Sequence, residues 1–400
     1  DWFNVDKKGL AKLLERKGKE FVLLELIQNA WDENSSRVDA SLKRIAGTKF
    51  VHLTVEDDNP DGFADLSHAF TLFAESSKKG EAEKRGRFNL GEKLVLALCD
   101  EAKILSTKGG IAFDNAGRHT LRSKTECGSV FNARLRMTNE ELQACHRAAA
   151  TLLPPSHVQT FYNGELLASR VSNVVFSASL PTEIADAEGM LRRSVRITQV
   201  EILEPAEGET PMLYEMGIPV VETGDRWHVN VSQKIPLNLD RDNVPPSYLS
   251  RITALTLQNT ANHICAEDAN SSWVRESLQK HANELDDETI AAVTALRFGE
   301  KRVSFDPSDR EANQRAMAQG YTVVYGSQMS QGEWGAVRRA GALLPAGQVT
   351  PSPKPYHPDG SPLKAIEPKD WTEEMHAVVD YIGRVAPRLV GRSSIPVRIV

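Results

Sequence analysis

Glu25-Leu26-Ile27-Gln28-Asn29-Ala30-Trp31-Asp32 lies inside a longer helical stretch, Lys19 to Asn34. At about 100° per residue, Phe21, Glu25, Gln28, Asn29 and Asp32 share one face, while Val22, Leu23, Leu26, Ile27 and Ala30 share the other. The apolar face predicts packing against another layer. The polar face has two readings: the solvated side of a surface helix, or a face that meets a ligand. Asn is a poor residue for a helix interior, and no Lys or Arg accompanies these acids and amides to form exposed pairs. A Glu and an Asn one turn apart suit a magnesium ion and a positioned water. The amide oxygen is a hard ligand, and the carboxylate can take the water's proton.

Outward from this helix, Phe50–Val55 reads as a strand running into the cluster Asp57-Asp58-Asn59-Pro60-Asp61-Gly62. Alone, this is an Asx/Gly turn. Ser76–Arg85 has no apolar residue larger than Ala, so a mobile loop is expected there. It leads into Gly86-Arg87-Phe88-Asn89-Leu90-Gly91-Glu92-Lys93, where two glycines open an apolar helix. Backbone amides at such a helix start can face phosphates. The segment lacks the Gly-Lys-Ser/Thr ending of a P-loop.

Taken in series, the ELIQNAWD helix, the V-x-D turn ending in Gly62-Phe63, the polar loop and the GRFNLG helix start resemble the GHKL ATPases (gyrase B, Hsp90, histidine kinase, MutL) over residues 5–140. The resemblance implies a Bergerat-type α/β sandwich, an α+β fold, binding ATP and Mg²⁺. By it Glu25 is the general base on the attacking water and Asn29 the magnesium ligand, with Asp32 on the same face. One aspartate of the turn bonds the adenine amino group: strand register selects Asp57, and spacing to Gly62 selects Asp58. We favour Asp57. Gly86, Phe88, Asn89, Leu90, Gly91 and Lys93 would form the phosphate cradle under a Ser76–Arg85 lid, and Ser129 of Gly128-Ser129-Val130 would replace the family's threonine beside the adenine. Asn59 or Pro60 stands where the family carries the first Gly of its turn, and Asn89 replaces a glycine; Asn tolerates positive φ better than other non-Gly residues.

The remaining chain reads as an α+β protein of two or three domains, since helices precede a run of strands. A helix Asp6–Arg16, a short helix Leu66–Ala74, the helix Leu90–Cys99, strands Ala102–Ser106, Gly110–Asn115 and Ser129–Met137, and a helix Asn139–Leu152 complete residues 1–150, before Pro154-Pro155. Residues 156–300 form a second domain, with strands Val158–Tyr162, Val171–Phe176, Ser194–Leu203, Met212–Pro219 and Trp227–Val231, then helices Ser247–Cys265 and Glu288–Arg297. Lys301–Phe305, Arg310–Gln319 and Thr322–Tyr325 read as a strand–helix–strand unit within 301–342. Leu343–Pro368, with seven prolines, reads as a linker ending at 369, and 370–400 as the start of a further domain with a helix from Trp371 and a strand at Ile395–Val400.

In the second domain, Ser232-Gln233-Lys234-Ile235-Pro236-Leu237-Asn238-Leu239-Asp240-Arg241-Asp242 reads locally as a strand ending in a charged turn. IPLNLDRD resembles the Hsp90 middle-domain segment with its catalytic Arg, and the Gln-Lys pair resembles the gyrase B loop. The resemblance implies that Arg241 first, and Lys234 second, reach the γ-phosphate as an external cation. The layout is also similar, more loosely, to phage rapid-lysis A-type proteins.

The 400 residues are 40% hydrophobic and 26% charged, with net charge −6, a globular composition without the basic excess of a nucleic-acid coat. No run of about 18 apolar residues spans a membrane, and without a signal-peptide pattern a cytoplasmic chain is expected. Cys99, Cys127, Cys145 and Cys265 have no metal-ligand spacing and are expected to be small core residues, with neither disulfide nor zinc. Two functions remain: an ATP-driven conformational machine that closes and homodimerises, or a non-hydrolysing nucleotide-binding interaction module. The protein partner stays open.

Overall fold

The computed structural model describes residues 6–14, 18–63, 66–71, 83, 91–186, 191–237, 243–351, 364–389 and 396–399. They fall into two compact units, residues 1–292 and 293–400. The first unit opens with helices α1 (Lys7–Leu14) and α2 (Glu20–Trp31) and strands β1 (Arg37–Arg44) and β2 (Phe50–Asp57). Then come α3 (Gly91–Leu98), β3 (Cys99–Ser106), β4 (Gly109–Asp114), β5 (Gly117–Leu121), β6 (Ser129–Arg136), α4 (Asn139–Ala150), β7 (Gln159–Tyr162) and β8 (Glu165–Leu166). The eight strands make one sheet in the order β5-β4-β3-β6-β2-β1-β7-β8. Every pairing is antiparallel except β1 with β7.

Strand alternation builds the core. Val38, Ala40 and Leu42 of β1, Val51, Leu53 and Val55 of β2, and Phe131, Ala133 and Leu135 of β6 are all buried. Against them pack Val22, Leu23, Leu26 and Ile27 of α2 and Leu142, Cys145 and Ala149 of α4, in one cluster. The result is the α+β, helix-on-sheet sandwich expected from the element order. Thr138 and Glu141 close a capping box that starts α4.

Two strands here were invisible to periodicity. The outward residues of β1 are charged or small, and β5 (Gly-Arg-His-Thr-Leu) buries none of its side chains. The Pro154-Pro155 break does not end the first sheet either: β7 pairs with β1 beyond it, and the β7–β8 hairpin turns on Asn163-Gly164, with φ of 53° and 92°. Asn163 also accepts the Leu42 N–H through Oδ1 at 2.9 Å, tying the hairpin to β1.

The second sheet comprises β9 (Val174–Ala185), β10 (Leu191–Leu203), β11 (Met212–Glu215), β12 (Ile218–Glu222) and β13 (His228–Val231), in the order β12-β11-β13-β10-β9. Leu180, Val200, Ile202, Leu213, Val229 and Val231 pack there with Tyr248 and Ile252 of α5 (Pro246–Thr260). Helices α6 (Ala266–Asn270), α7 (Ser272–Lys280) and α8 (Asp287–Phe298) follow. The single strand expected over Met212–Pro219 is two, because Met216 and Gly217 turn the chain with φ of 48° and 90°. That turn joins the two sheets: Leu153 N–H donates to the Gly217 carbonyl at 3.0 Å, and Ile218 sits in the first core.

In the second unit, β14 (Arg302–Ser304), α9 (Arg310–Ala318) and β15 (Thr322–Val324) form the expected strand–helix–strand, its strands parallel. Helices α10 (Gln331–Arg339), α11 (Ala346–Val349) and α12 (Glu373–Leu389) follow. The start of the expected linker is part of this unit. Ala346 lies in its core with Val303, Ala312 and Val323, and Thr350 Oγ1 donates to the Ala312 carbonyl at 2.9 Å. Residues 396–399 make no strand, although the Ile399 carbonyl accepts the Ile366 N–H at 2.9 Å. Cys99 and Cys145 are buried as expected of small core residues, whereas Cys127 and Cys265 are exposed; all four are free. No helix among the described residues is long and apolar enough to cross a membrane.

A Cβ at position 217 would lie 2.0 Å from the Leu153 carbonyl oxygen, whereas one at Gly164 would meet nothing within 4 Å, and both residues have positive φ. Gly164→Ala should therefore cost about 1 kcal/mol of backbone strain, and Gly217→Ala roughly 2–4 kcal/mol because overpacking adds to it. Urea unfolding of the two variants checks this; equal losses would mean that the joint yields freely.

Candidate functional site

Helix α2 is not a solvated surface helix. Its apolar face is buried as expected, but Gln28 and Asp32, on the polar face, are also buried, at 4% and 5% exposure. Glu25 and Asn29, one turn apart on the same face, are half-buried. The polar face is thus largely withdrawn from bulk water, where a carboxylate and an amide interact more strongly with a ligand. The helix end is fixed by the Trp31 indole N–H, which donates to Thr160 Oγ1 of β7 at 2.9 Å, and by Ser35 Oγ, which donates to the Ala30 carbonyl at 2.9 Å.

The two aspartates of the turn have different environments. Asp58 Oδ1 accepts the N–H groups of Ser36 and Arg37 at 2.7 and 2.9 Å, and Oδ2 accepts the Ser36 hydroxyl. Burial alone would raise this carboxyl, but the bonds from Ser36 and Arg37 outweigh it and hold it below its ordinary range. Asp58 therefore caps the start of β1. Asp57 ends β2 directly across from Ser129, the first residue of β6. Its Oδ1 accepts Asn59 N–H at 3.0 Å and Ser129 N–H at 3.3 Å. Burial drives the Asp57 carboxyl up to about 6 despite these bonds, and Glu33 and Asp58 add to the rise.

The turn between β2 and Gly62 is held from three sides. The Asn59 carbonyl accepts N–H bonds from Gly62 at 3.0 Å and Gly128 at 3.1 Å. Gly128 has φ of 73°, and a Cβ there would stand 1.8 Å from the Asp57 carbonyl oxygen, so only glycine fits. Gly62 has φ of 59°, and its Cβ would meet Ser106 Oγ at 2.4 Å. Ser106 Oγ accepts the Phe63 N–H at 2.7 Å, and Thr107 Oγ1 donates to the Asp61 carbonyl at 2.9 Å. Asn59, placed where the resemblance expects a glycine, is itself buried, its amide 3.4 Å from both Glu33 Oε2 and the Gly62 carbonyl. This contact brings the end of α2 against the turn.

The structure thus brings together Asp57, Gly62 and Ser129, with Asp58 adjacent in the chain and Asp32 next to Glu33, which meets Asn59. It adds Asn59, Ser106, Thr107 and Gly128, which the sequence did not single out as site residues. Ser106-Thr107 is an ordinary strand end, and Asn59 looked like a departure from a motif. Gly86, Phe88, Asn89, Leu90 and Arg241 lie outside the described residues, as does the Lys93 side chain; Gly91 opens α3. Of the expected lid, Glu83 is described, 3.4 Å from Arg196 of β10. Lys234 is fully buried, its carbonyl accepting Thr182 Oγ1 at 2.8 Å, and the next N–H, of Ile235, donates to Glu215 at 2.7 Å. In this conformation the Lys234 ammonium is inside the protein. Among the described residues, no three His, Cys, Asp or Glu side chains cluster as a metal cage.

No protein-family model and no curated protein matches the chain. Among solved structures, it is similar to the ATPase and transducer domains of DNA topoisomerase II from Balamuthia mandrillaris, at 11% identity and TM-score 0.37, over 58% of this chain and 81% of that one. It is also similar to the ATPase region of Saccharomyces cerevisiae topoisomerase II, bound to ICRF-187 (dexrazoxane) at 9% identity and in a second structure at 11%. Both have TM-score 0.36 and cover 58% of this chain and 82% of the other. The α+β architecture follows from the strand order itself.

Because its folded-state carboxyl is raised to about 6, ionised Asp57 costs folding stability: the cost is absent below the ordinary value of 3.8, grows between 3.8 and about 6, and is complete above. Asp57→Asn should raise the melting temperature of the nucleotide-free protein at pH 8 by a few degrees and leave it nearly unchanged at pH 4. Asp58→Asn should lower it at pH 8, through loss of the cap. Thermal melts at both pH values decide; a drop for Asp57→Asn at pH 8 would show that its carboxylate is structural.

Proposed function

We propose that residues 6–166 are an ATP-binding domain of the GHKL kind and that the second sheet, with its helices, is the domain that responds to the nucleotide. The observation carrying this reading is Asp57: a desolvated carboxylate at a strand end, with one oxygen bonded to Asn59 and Ser129 N–H groups and a hydroxyl-bearing residue opposite. Its raised proton affinity marks a half-buried acceptor that water serves poorly, and a further donor would stabilise its ionised form. The adenine amino group is such a donor, and on this reading Ser129 would hold it or a bridging water. Asp58, spent on the Ser36–Arg37 backbone, lacks that freedom.

On the same reading the half-buried Glu25 is the general base and the Asn29 amide oxygen would hold Mg²⁺. When bound, the ion supplies charge neutralisation on the phosphates. Glu25 orients the attacking water and takes its proton at the carboxylate. Gly86, Phe88, Asn89, Leu90, Gly91 and Lys93 are proposed as the phosphate cradle and Arg241 as the external cation. For Lys234 to act, its loop has to open, since its ammonium is enclosed here. This enclosure favours the second reading, a nucleotide-binding interaction module without turnover, in any state in which the loop stays shut.

Glu25→Ala should leave ATP affinity within a few-fold while lowering turnover by about 10²–10⁴-fold, the usual contribution of a general base. Calorimetry and steady-state phosphate release on one sample separate the readings. Turnover that is equal in wild type and variant would remove Glu25 from the chemistry. No measurable turnover in wild type, with ATP still bound, would select the interaction module. ATP affinity should also fall as pH drops below about 6, where Asp57 takes up a proton and loses acceptor strength.

A further inference from the structure

Helix α12 of the second unit presents an apolar seam to solvent. Met375, Val378, Ile382, Val385 and Leu389 follow one another at alternating spacings of three and four residues, the a/d repeat of a coiled coil. Val378, Ile382 and Leu389 are 53%, 36% and 81% exposed, and Tyr381, flanking the seam, is 66% exposed. The buried residue of this helix is Pro387, which lies on the side opposite the seam. Met375 and Val385 of the seam are half-buried, while Val378, Ile382 and Leu389 are left uncovered by the described residues.

Charge indicates what fits there. Glu373 and Glu374 are at the start of α12, and Arg384 and Arg388 at its end. Arg384 pairs with Asp380 within the helix, one turn away. Acids first and bases last suit the macrodipole of a single helix. The flanking positions carry more information: Glu374, Tyr381 and Arg388 stand seven residues apart, all in the position preceding a seam residue. Two copies aligned in parallel would set Glu374 and Tyr381 beside the partner's Val379 and Ala386, leaving the charges without complement. Aligned antiparallel about Tyr381, each Glu374 approaches the partner's Arg388 and the tyrosines meet at the centre.

We propose that α12 is a self-association helix, pairing antiparallel with α12 of a second copy of this chain about a two-fold axis near Tyr381–Ile382. The 17 residues are about 25 Å of helix, a contact smaller than a standard stable interface. The association is accordingly weak, in the micromolar range or looser. It needs no nucleotide and is independent of the ATP-site reading.

Sedimentation velocity of the nucleotide-free 400-residue chain, from about 5 to 200 μM, tests it, because weak contacts of this size form across that range. Wild type should move from monomer toward dimer as concentration rises. Ile382→Asp should abolish the shift with an unchanged melting temperature, since the site is exposed. Glu374→Arg should weaken association several-fold, and the double change Glu374→Arg/Arg388→Glu should restore it. The two positions are about four turns apart and do not touch within one helix, so restoration reports pairing between copies. A monomer at every concentration, a dimer indifferent to Ile382→Asp, or a double variant no better than the single one would each overturn the proposal.

Discussion

The contact between Gly128 and Asp57 governs the arrangement of the candidate site. Strand β6 can run directly alongside β2 only because residue 128 has no side chain where the Asp57 carbonyl passes. That approach puts the Ser129 N–H within reach of the Asp57 carboxylate and lets Gly128 N–H bond the Asn59 carbonyl. With the turn drawn in, Gly62 closes on Ser106, and the carboxylate is withdrawn from water far enough for burial to raise it to about 6. A desolvated acceptor of this kind is unfavourable for folding on its own. It persists because the surrounding backbone bonds over-determine the turn.

A second constraint joins this site to the rest of the first unit. Trp31 ends α2 and bonds Thr160 on β7, while Leu153 just before that strand bonds Gly217 at the tip of the β11–β12 hairpin. The hairpin's next residue, Ile218, is part of the first core. On its other side, Gly217 N–H donates to Asn230 of β13 at 2.8 Å, and Asn230 in turn donates to Glu201 of β10. Helix α2 and the second sheet therefore share one packed joint made of a turn that tolerates almost no substitution. Close packing at this joint ties the position of α2 to that of β11.

The interior charges are handled by pairing. Arg170 donates to both oxygens of Glu209, at 2.5 and 2.6 Å, and these bonds pull the carboxyl down to about 2. His228 is lowered by burial; its Nδ1 accepts the Met212 N–H, which leaves Nε2–H to donate to Glu209. In the second unit, Arg297 and Glu333 form an ion pair at 4% and 1% exposure. Such pairs add little net stability over apolar packing, but losing one partner strands a charge, so they fix which helices meet.

The sequence by itself determined the helix α2 with its Glu25–Asn29 spacing, the strand from Phe50 that runs into the Asp57 turn, the α+β order and the strand–helix–strand of the second unit. Each of these follows from a local period or turn composition carried by consecutive residues. The acceptor that the resemblance implies stayed open between two adjacent aspartates, because strand register and turn spacing disagreed by one residue. Only the tertiary structure decided between their environments: Asp58 is spent on β1, a strand with no strong local signal, and Asp57 gains its half-buried setting from β6, about seventy residues later in the chain. The β7–β8 addition to the first sheet and the burial of Gln28, Asp32 and Lys234 are of the same origin. Period and propensity report what neighbours along the chain prefer, whereas burial and strand partnership depend on which distant segments arrive alongside.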